Sequence, residues 1–204
     1  MEIDYFISKR PFLYHLTNKN NVDNIIDGRI LLSANTLIDS AKLKDKESLK
    51  ITKRNDHLKV TINSVEYSIR DQKPITKALD KCLINCTRTQ FIKYLNNHVF
   101  FWPTLNRLKR HFQTYRNEEV KVLKVVTSEL FELNKHILVS RINSGSTRCI
   151  ASYGGIPVPR GLDTFVNLSD FNKPITKIAE VTIKNKCNLP KSIIILEKGD
   201  CEKL

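Results

Sequence analysis

Leu13-Tyr14-His15-Leu16-Thr17, followed by Gly28 and then Ile30-Leu31-Leu32-Ser33, is the stretch from which the fold is read. Side chains alternate across a strand, so His15 and Thr17, set in an apolar run, point to one face while Tyr14 and Leu16 point to the other. The next segment, Asn21-Val22-Asp23-Asn24-Ile25-Ile26-Asp27-Gly28, spaces Val22, Ile25 and Ile26 as a helix does. Gly28 stands where a helix leaves through a left-handed residue. A strand followed at once by a short helix puts His15 and Thr17 beside a strand–helix turn, in the wall of a cleft.

The 204 residues, 41% of them hydrophobic, suffice to bury a core in one domain. The formal net charge of +13, from 34 Lys and Arg against 21 Asp and Glu, suits a polyanionic partner, with DNA placed before RNA. An AT-rich coding bias that scatters lysines over solvated faces gives the same composition. Cys82, Cys86, Cys149, Cys187 and Cys201 form no CxxC pair and are odd in number, which speaks against a disulfide framework and leaves no zinc pattern. No metal is expected. The start, Met1-Glu2-Ile3-Asp4-Tyr5, lacks a signal-peptide core and no run reaches membrane-spanning length, so a cytoplasmic protein with no membrane partner is expected. GxGxxG after a strand, the P-loop, HExxH and GxSxG are all missing.

Further along, Ser33 to Asp39 reads as a second short helix capped by a polar residue. Lys42 to Arg54 is a charged connector, and Leu58–Ile62 with Val65–Ile69 alternates about Asn63-Ser64 as a hairpin. Residues 42–72 therefore read as a peripheral insertion or lid within a single domain, 1–204. Helical spacing runs from Ile75 to Leu83, and Thr87-Arg88-Thr89-Gln90 is a capping box opening a helix over Phe91, Ile92 and Leu95. His98-Val99-Phe100-Phe101-Trp102-Pro103 is a strand buried on both faces and stopped by proline, and Thr104 caps a basic helix. Val120–Val126, Ile137–Val139, Thr164–Val166, Ile175–Ile183 and Ser192–Leu196 are strands, with a helical turn from Ser128 to Leu133. The long irregular stretch from Asn143 to Gly161 is of the kind that carries function.

In this order, Leu13–Thr17, Gly28–Ser33, Val99–Trp102 with Arg107, Ile142-Asn143-Ser144-Gly145, Arg160-Gly161 with Thr164-Phe165, and Ala179-Glu180-Val181 resemble the DarT-like branch of the diphtheria-toxin-like ADP-ribosyltransferase superfamily. The chain looks closest to an uncharacterised bacterial branch with the same segments. The resemblance implies an α+β fold with a split mixed β-sheet, a central cleft and peripheral helices. It implies NAD as substrate, and a toxin or defence setting with an antidote protein as partner. The hairpin near Val60 has no clear counterpart in the toxin branch. Arg107 follows the aromatic strand in a register that differs from that branch's Asn-x-Arg-Asn-Pro. One glutamate, Glu180, stands where arginine-specific transferases carry Glu-x-Glu, which disfavours protein arginine as acceptor.

The resemblance assigns catalysis to Glu180, Arg107 and His15. A carboxylate can stabilise the oxocarbenium-like centre left when the nicotinamide bond breaks. By alternation alone Glu180 is equally a solvated glutamate on a half-exposed strand. The same resemblance gives NAD contacts to His15, Thr17, Asn18, Gly28, Leu32, Ser33, Trp102, Asn143, Ser144, Gly145, Arg160 and Thr164. His15 reads as readily as a core histidine on a backbone carbonyl, Trp102 as core, and Asn143 and Gly145 as turn formers. Arg107 suits diphosphate, yet the helix it shares with Lys109, Arg110 and nearby Arg116 is also a plain solvated basic face. Those last three are the nucleic-acid contacts expected. His57, His98, His111 and His136 read as structural. The function expected is an ADP-ribosyltransferase acting on nucleic acid. An N-glycosidic hydrolase, or an inactive nucleic-acid-binding module of the same fold, remains open.

Overall fold

The computed structural model describes residues 1–112, 115, 117–147 and 158–203. α1 (Ile3–Lys9) leads into β1 (Phe12–Asn18), and a 3-10 turn with α2 (Val22–Gly28) brings the chain to β2 (Ile30–Leu32). α3 (Ala34–Ser40) and α4 (Lys46–Ile51) precede the hairpin β3 (Leu58–Ile62) and β4 (Val65–Ile69). α5 (Leu79–Cys82), α6 (Arg88–Asn96), β5 (His98–Phe101), α7 (Leu105–Phe112), β6 (Val120–Val126), α8 (Thr127–Leu133) and β7 (Leu138–Ser140) follow. β8 (Val166–Asn167), β9 (Glu180–Lys184), β10 (Lys186–Asn188), β11 (Ile193–Glu197) and α9 (Lys198–Lys203) complete an α+β architecture. No helix among the described residues is long and apolar enough to cross a membrane.

Two sheets carry the fold, one in the order β1-β6-β11 and one in the order β5-β9-β7-β8. Where a mixed sheet was expected, every ladder between the described strands is antiparallel; the isolated Leu83–Arg160 bridge is parallel. The sheets are joined at a second isolated bridge. Tyr14 N donates to Trp102 O at 3.0 Å and Trp102 N to Tyr14 O at 2.8 Å, carrying β1 alongside the end of β5. Leu13, Leu123 and Val125 of one sheet share a core with Val99, Phe101, Val139, Val181 and Ile183 of the other. α7 covers the opposite face of β1 and β6 through Leu108 and Phe112, packed with Leu16, Trp102 and Val122. α5 and α6 pack Leu79, Phe91 and Ile92 against Phe165 and Phe100.

Local chemistry accounts for these elements and for the departures from expectation. Asn63 and Ser64 both take positive φ (50° and 66°), the twist a two-residue hairpin loop needs. The left-handed residue after α2 is Arg29 (φ 50°), with Gly28 inside the helix; Arg29 Nη1 reaches Lys191 O at 3.1 Å, which anchors the turn. The charged connector holds α4, because Lys50, nearly buried, pairs with Asp39 at 2.8 Å and with Glu47 one turn back. Residues 175–177 form a 3-10 turn, and the strand starts only at Glu180, since Pro174 and the turn's own hydrogen bonds keep those residues out of the ladder. Likewise, of the helical spacing from Ile75, only Leu79–Cys82 closes into helix.

The capping box at α6 is complete: Thr87 Oγ1 accepts from Gln90 N and Gln90 Oε1 accepts from Thr87 N at 2.8 Å. Thr87→Ala should lower unfolding free energy by about 1 kcal/mol in urea titrations, with Thr87→Ser near the parent value. An unchanged midpoint for Thr87→Ala means the box adds nothing to stability.

Candidate functional site

Beyond the Tyr14–Trp102 bridge the sheets part, leaving a cavity of about 450 Å³. Leu13 points into the core; two and four residues on, the same face of β1 presents His15 and Thr17 to the cavity. Gly28 and Leu32, Trp102, and the turn Asn143-Ser144-Gly145 add to the wall, with Glu180 from the first position of β9. The ladder places Phe101 opposite Val181, so Glu180 lies level with Trp102, which is bridged to the neighbour of His15.

Glu180 is 4% exposed, and Ser144 N donates to its Oε2 at 3.0 Å. Burial pushes its pKa up to about 7, against the opposing pull of the Ser144 hydrogen bonding and of the Arg160 and Arg107 charges. A carboxyl so placed can change charge near neutrality, as a general acid or base must, and its anion is the kind of group that stabilises a developing cation. His15 Nδ1 is 2.8 Å from Phe100 O, which fixes the ring across the gap between the sheets; burial lowers its pKa to about 4, so it works as a neutral imidazole. Its backbone-carbonyl contact and its place in the cavity wall are thus compatible. Thr17 Oγ1 accepts from Asn21 Nδ2 at 3.3 Å, and Asn21 also pairs with Ser68 N and O, tying the hairpin to β1.

Several predicted residues lie outside the cavity wall, their polar groups committed elsewhere. Asn18 caps the 3-10 turn and Ser33 caps α3. Arg107 Nη2 donates to Thr176 O at 3.0 Å and reaches Glu180 only through its field. Arg160, 5% exposed, donates to the carbonyls of Ser144 (2.7 Å) and Ser146 (2.9 Å), and so holds the turn whose amide meets Glu180. Thr164 Oγ1 accepts from Gly161 N. A Cβ at Gly161 would stand 2.6 Å from Ile84 O, which explains the glycine there without a ligand. Lys109 and Arg110 sit on α7 away from the cavity, with Arg110 exposed. Arg116, Cys149, Gly154 and Gly155 lie outside the described residues.

The sequence reading missed the far wall. Arg54, Arg70 and Asp71, at the base of the hairpin taken as peripheral, line the cavity, as does His111 from α7. His57 Nε2 lies 3.1 Å from Glu118 Oε2 and 3.5 Å from Asp71 Oδ2, and these three atoms are close enough to share a cation. Lys73 Nζ, 3.3 Å from Asp71, already supplies positive charge there. Nothing in the local sequence marks these residues, because they come together from separate parts of the chain.

No curated protein matches the chain. The profile of a family of unknown function matches residues 11–193. The chain belongs to the DUF7002 family. The DUF7002 match runs from the residue before β1 to the first residue of β11, and every residue of the cavity wall falls inside it.

The raised pKa of Glu180 sets a pH dependence. The native state holds this proton up to about pH 7, whereas the unfolded chain releases it near the ordinary glutamate value. Native stability from this group is thus fully present at low pH and declines as pH rises to about 7. Glu180→Gln should remove that decline and be more stable than the parent at pH 8, by up to the order of 3 kcal/mol. Denaturant titrations of both proteins from pH 5 to 8 test this; parallel curves would mean an ordinary carboxylate.

Proposed function

We propose that the chain is an NAD-dependent ADP-ribosyltransferase-like enzyme acting on nucleic acid. The observation that carries this reading is the buried Glu180 carboxyl in one cavity with His15 and Thr17. Two sheets parting at a single bridge supply a cleft of the sort the resemblance implies, of a size usual for small-molecule sites. His15 and Thr17, on one rigid strand, position the ribose, and Trp102 offers an aromatic edge in the wall. When the bond between ribose C1′ and the nicotinamide nitrogen breaks, its electron pair leaves with nicotinamide, and ionised Glu180 faces the cationic carbon. The acceptor nucleophile then bonds to C1′ and gives up its proton, which a carboxylate of this basicity can take.

Glu180→Gln should lower nicotinamide release roughly 100- to 1,000-fold with little change in NAD affinity. Parent activity should rise through about pH 7, as Glu180 ionises. Labelled NAD incubated with DNA, RNA and protein reads the acceptor. Label appearing only in free ADP-ribose makes the protein a hydrolase, and unchanged turnover in the variant removes Glu180 from the chemistry.

α7 links the acceptor to the site, because His111 is in the cavity wall while Arg110 of the same helix is exposed. Oligonucleotide affinity should fall linearly with salt on logarithmic axes, and Lys109→Glu with Arg110→Glu should flatten the slope. Absence of binding at low salt would remove nucleic acid as the acceptor.

A further inference from the structure

The hairpin end of the cavity holds two arginines that form no ion pair with a carboxylate among the described residues. Arg54 Nε donates to Arg70 O at 3.0 Å and its Nη2 to Asn96 Oδ1 at 3.1 Å, while Nη1 is buried with no hydrogen-bond partner among the described residues. Arg70 lies 3.7 Å above the Tyr115 ring, with Nη2 3.4 Å from His111 Nε2 and Nε again buried and without a partner among the described residues. Neither forms an ion pair among the described residues. Asp71, whose charge acts on Arg54, is itself approached by Lys73 and His57.

Taking a cation out of water is costly unless its charge is balanced, and here two arginines line one cavity with the single carboxylate of Asp71 nearby. The Arg70 charge is felt by the histidines of the wall: burial lowers the pKa values of His15 and His111 first, and Arg70 lowers them further. Burial also brings Arg54 down to about 10 in spite of Asp71, which still leaves it charged at neutral pH.

We propose that Arg54 and Arg70 form an oxyanion subsite that receives the phosphoryl or diphosphate group of the cavity's ligand. Guanidinium forks match phosphoryl oxygens two at a time, and two such charges are balanced by a diphosphate where a single carboxylate leaves one unpaired. The subsite rests on the transferase reading and deepens it, since NAD carries a diphosphate, and it adds a role for a hairpin that has no clear counterpart in the toxin branch.

Its test uses unreactive ligands, with fluorescence of Trp102, the sole tryptophan and part of the wall, as readout. ADP should bind at least tenfold more tightly than adenosine, and pyrophosphate should compete with ADP. Pyrophosphate as tight as ADP identifies free phosphates as the ligand, and ADP tighter than pyrophosphate identifies a nucleotide; both support the subsite. Arg54→Gln and Arg70→Gln should each weaken ADP tenfold or more, leave adenosine unchanged, and show parent-like circular dichroism, with Arg70→Lys recovering part of the loss. Equal affinity for ADP and adenosine in the parent, or no binding of ADP and pyrophosphate at millimolar concentration, overturns the proposal without need of any variant. ADP should still bind Glu180→Gln, so failure of the bond-breaking reading and failure of the subsite give different results.

Discussion

A carboxyl group that leaves water must find other polar partners, and much of the arrangement around the cavity serves that need at Glu180. Its partner is the Ser144 amide, which can point at the carboxylate only if the turn from Asn143 to Ser146 is held in place. Arg160 holds it by donating to the carbonyls on the turn's other side. Arg160 is fixed in turn by its own backbone, which pairs with Cys82 O and Ile84 N at the end of α5. The crossing is so close that Gly161 has no room for a side chain. A buried strand end, a turn, an arginine and a short helix thus depend on one another in sequence, and loss of any link leaves a buried polar group unsatisfied.

The second constraint is the bridge between Tyr14 and Trp102. Each sheet alone would close its own face with apolar side chains, and up to Leu13 and Phe101 that is what happens. Past the bridge β1 continues along β6, and β5 gives way to Pro103 and α7, so the facing surfaces lose contact. The gap exposes whatever side chains come next on the inward face, which are His15 and Thr17. The position of the cavity therefore follows from where two ladders separate.

Elements whose signals are local were legible in the sequence. The alternation in β1 and β6, the capping box of α6, the Asn63-Ser64 turn and the proline after β5 each specify their structure within a few residues, and the inward pairing of His15 with Thr17 followed from period alone. Burial of charge was not legible. Alternation along 175–183 leaves Glu180 equally suited to water, and only its place in the middle of β5-β9-β7, under the 143–146 turn, decides the matter. Arg54 and Arg70 read as ordinary members of a charged connector and a strand end, because what encloses them comes from β1, α6 and α7, far along the chain. Arg107 and Arg160 erred in the opposite sense. A guanidinium near a candidate site suggests an anion, yet both are satisfied by backbone carbonyls.

The cavity that results is electrically uneven, and this restricts what can occupy it. Two guanidinium groups and the Asp71 carboxylate stand at the hairpin end and the Glu180 carboxyl at the β9 end, with His15 and His111 kept neutral. In a cleft such charges are screened less than on an open surface, so an occupant of uniform charge leaves one end uncompensated. A molecule with an anionic middle and a cationic or cation-forming end meets both. Above about pH 7 Glu180 is ionised and the polarity is complete; below it the acidic end is a neutral hydrogen-bonding group, while the arginines keep their charge. Protonation of Glu180 therefore removes the negative charge from the β9 end of the cavity while the charges at the hairpin end, Arg54, Arg70 and Asp71, stay as they are.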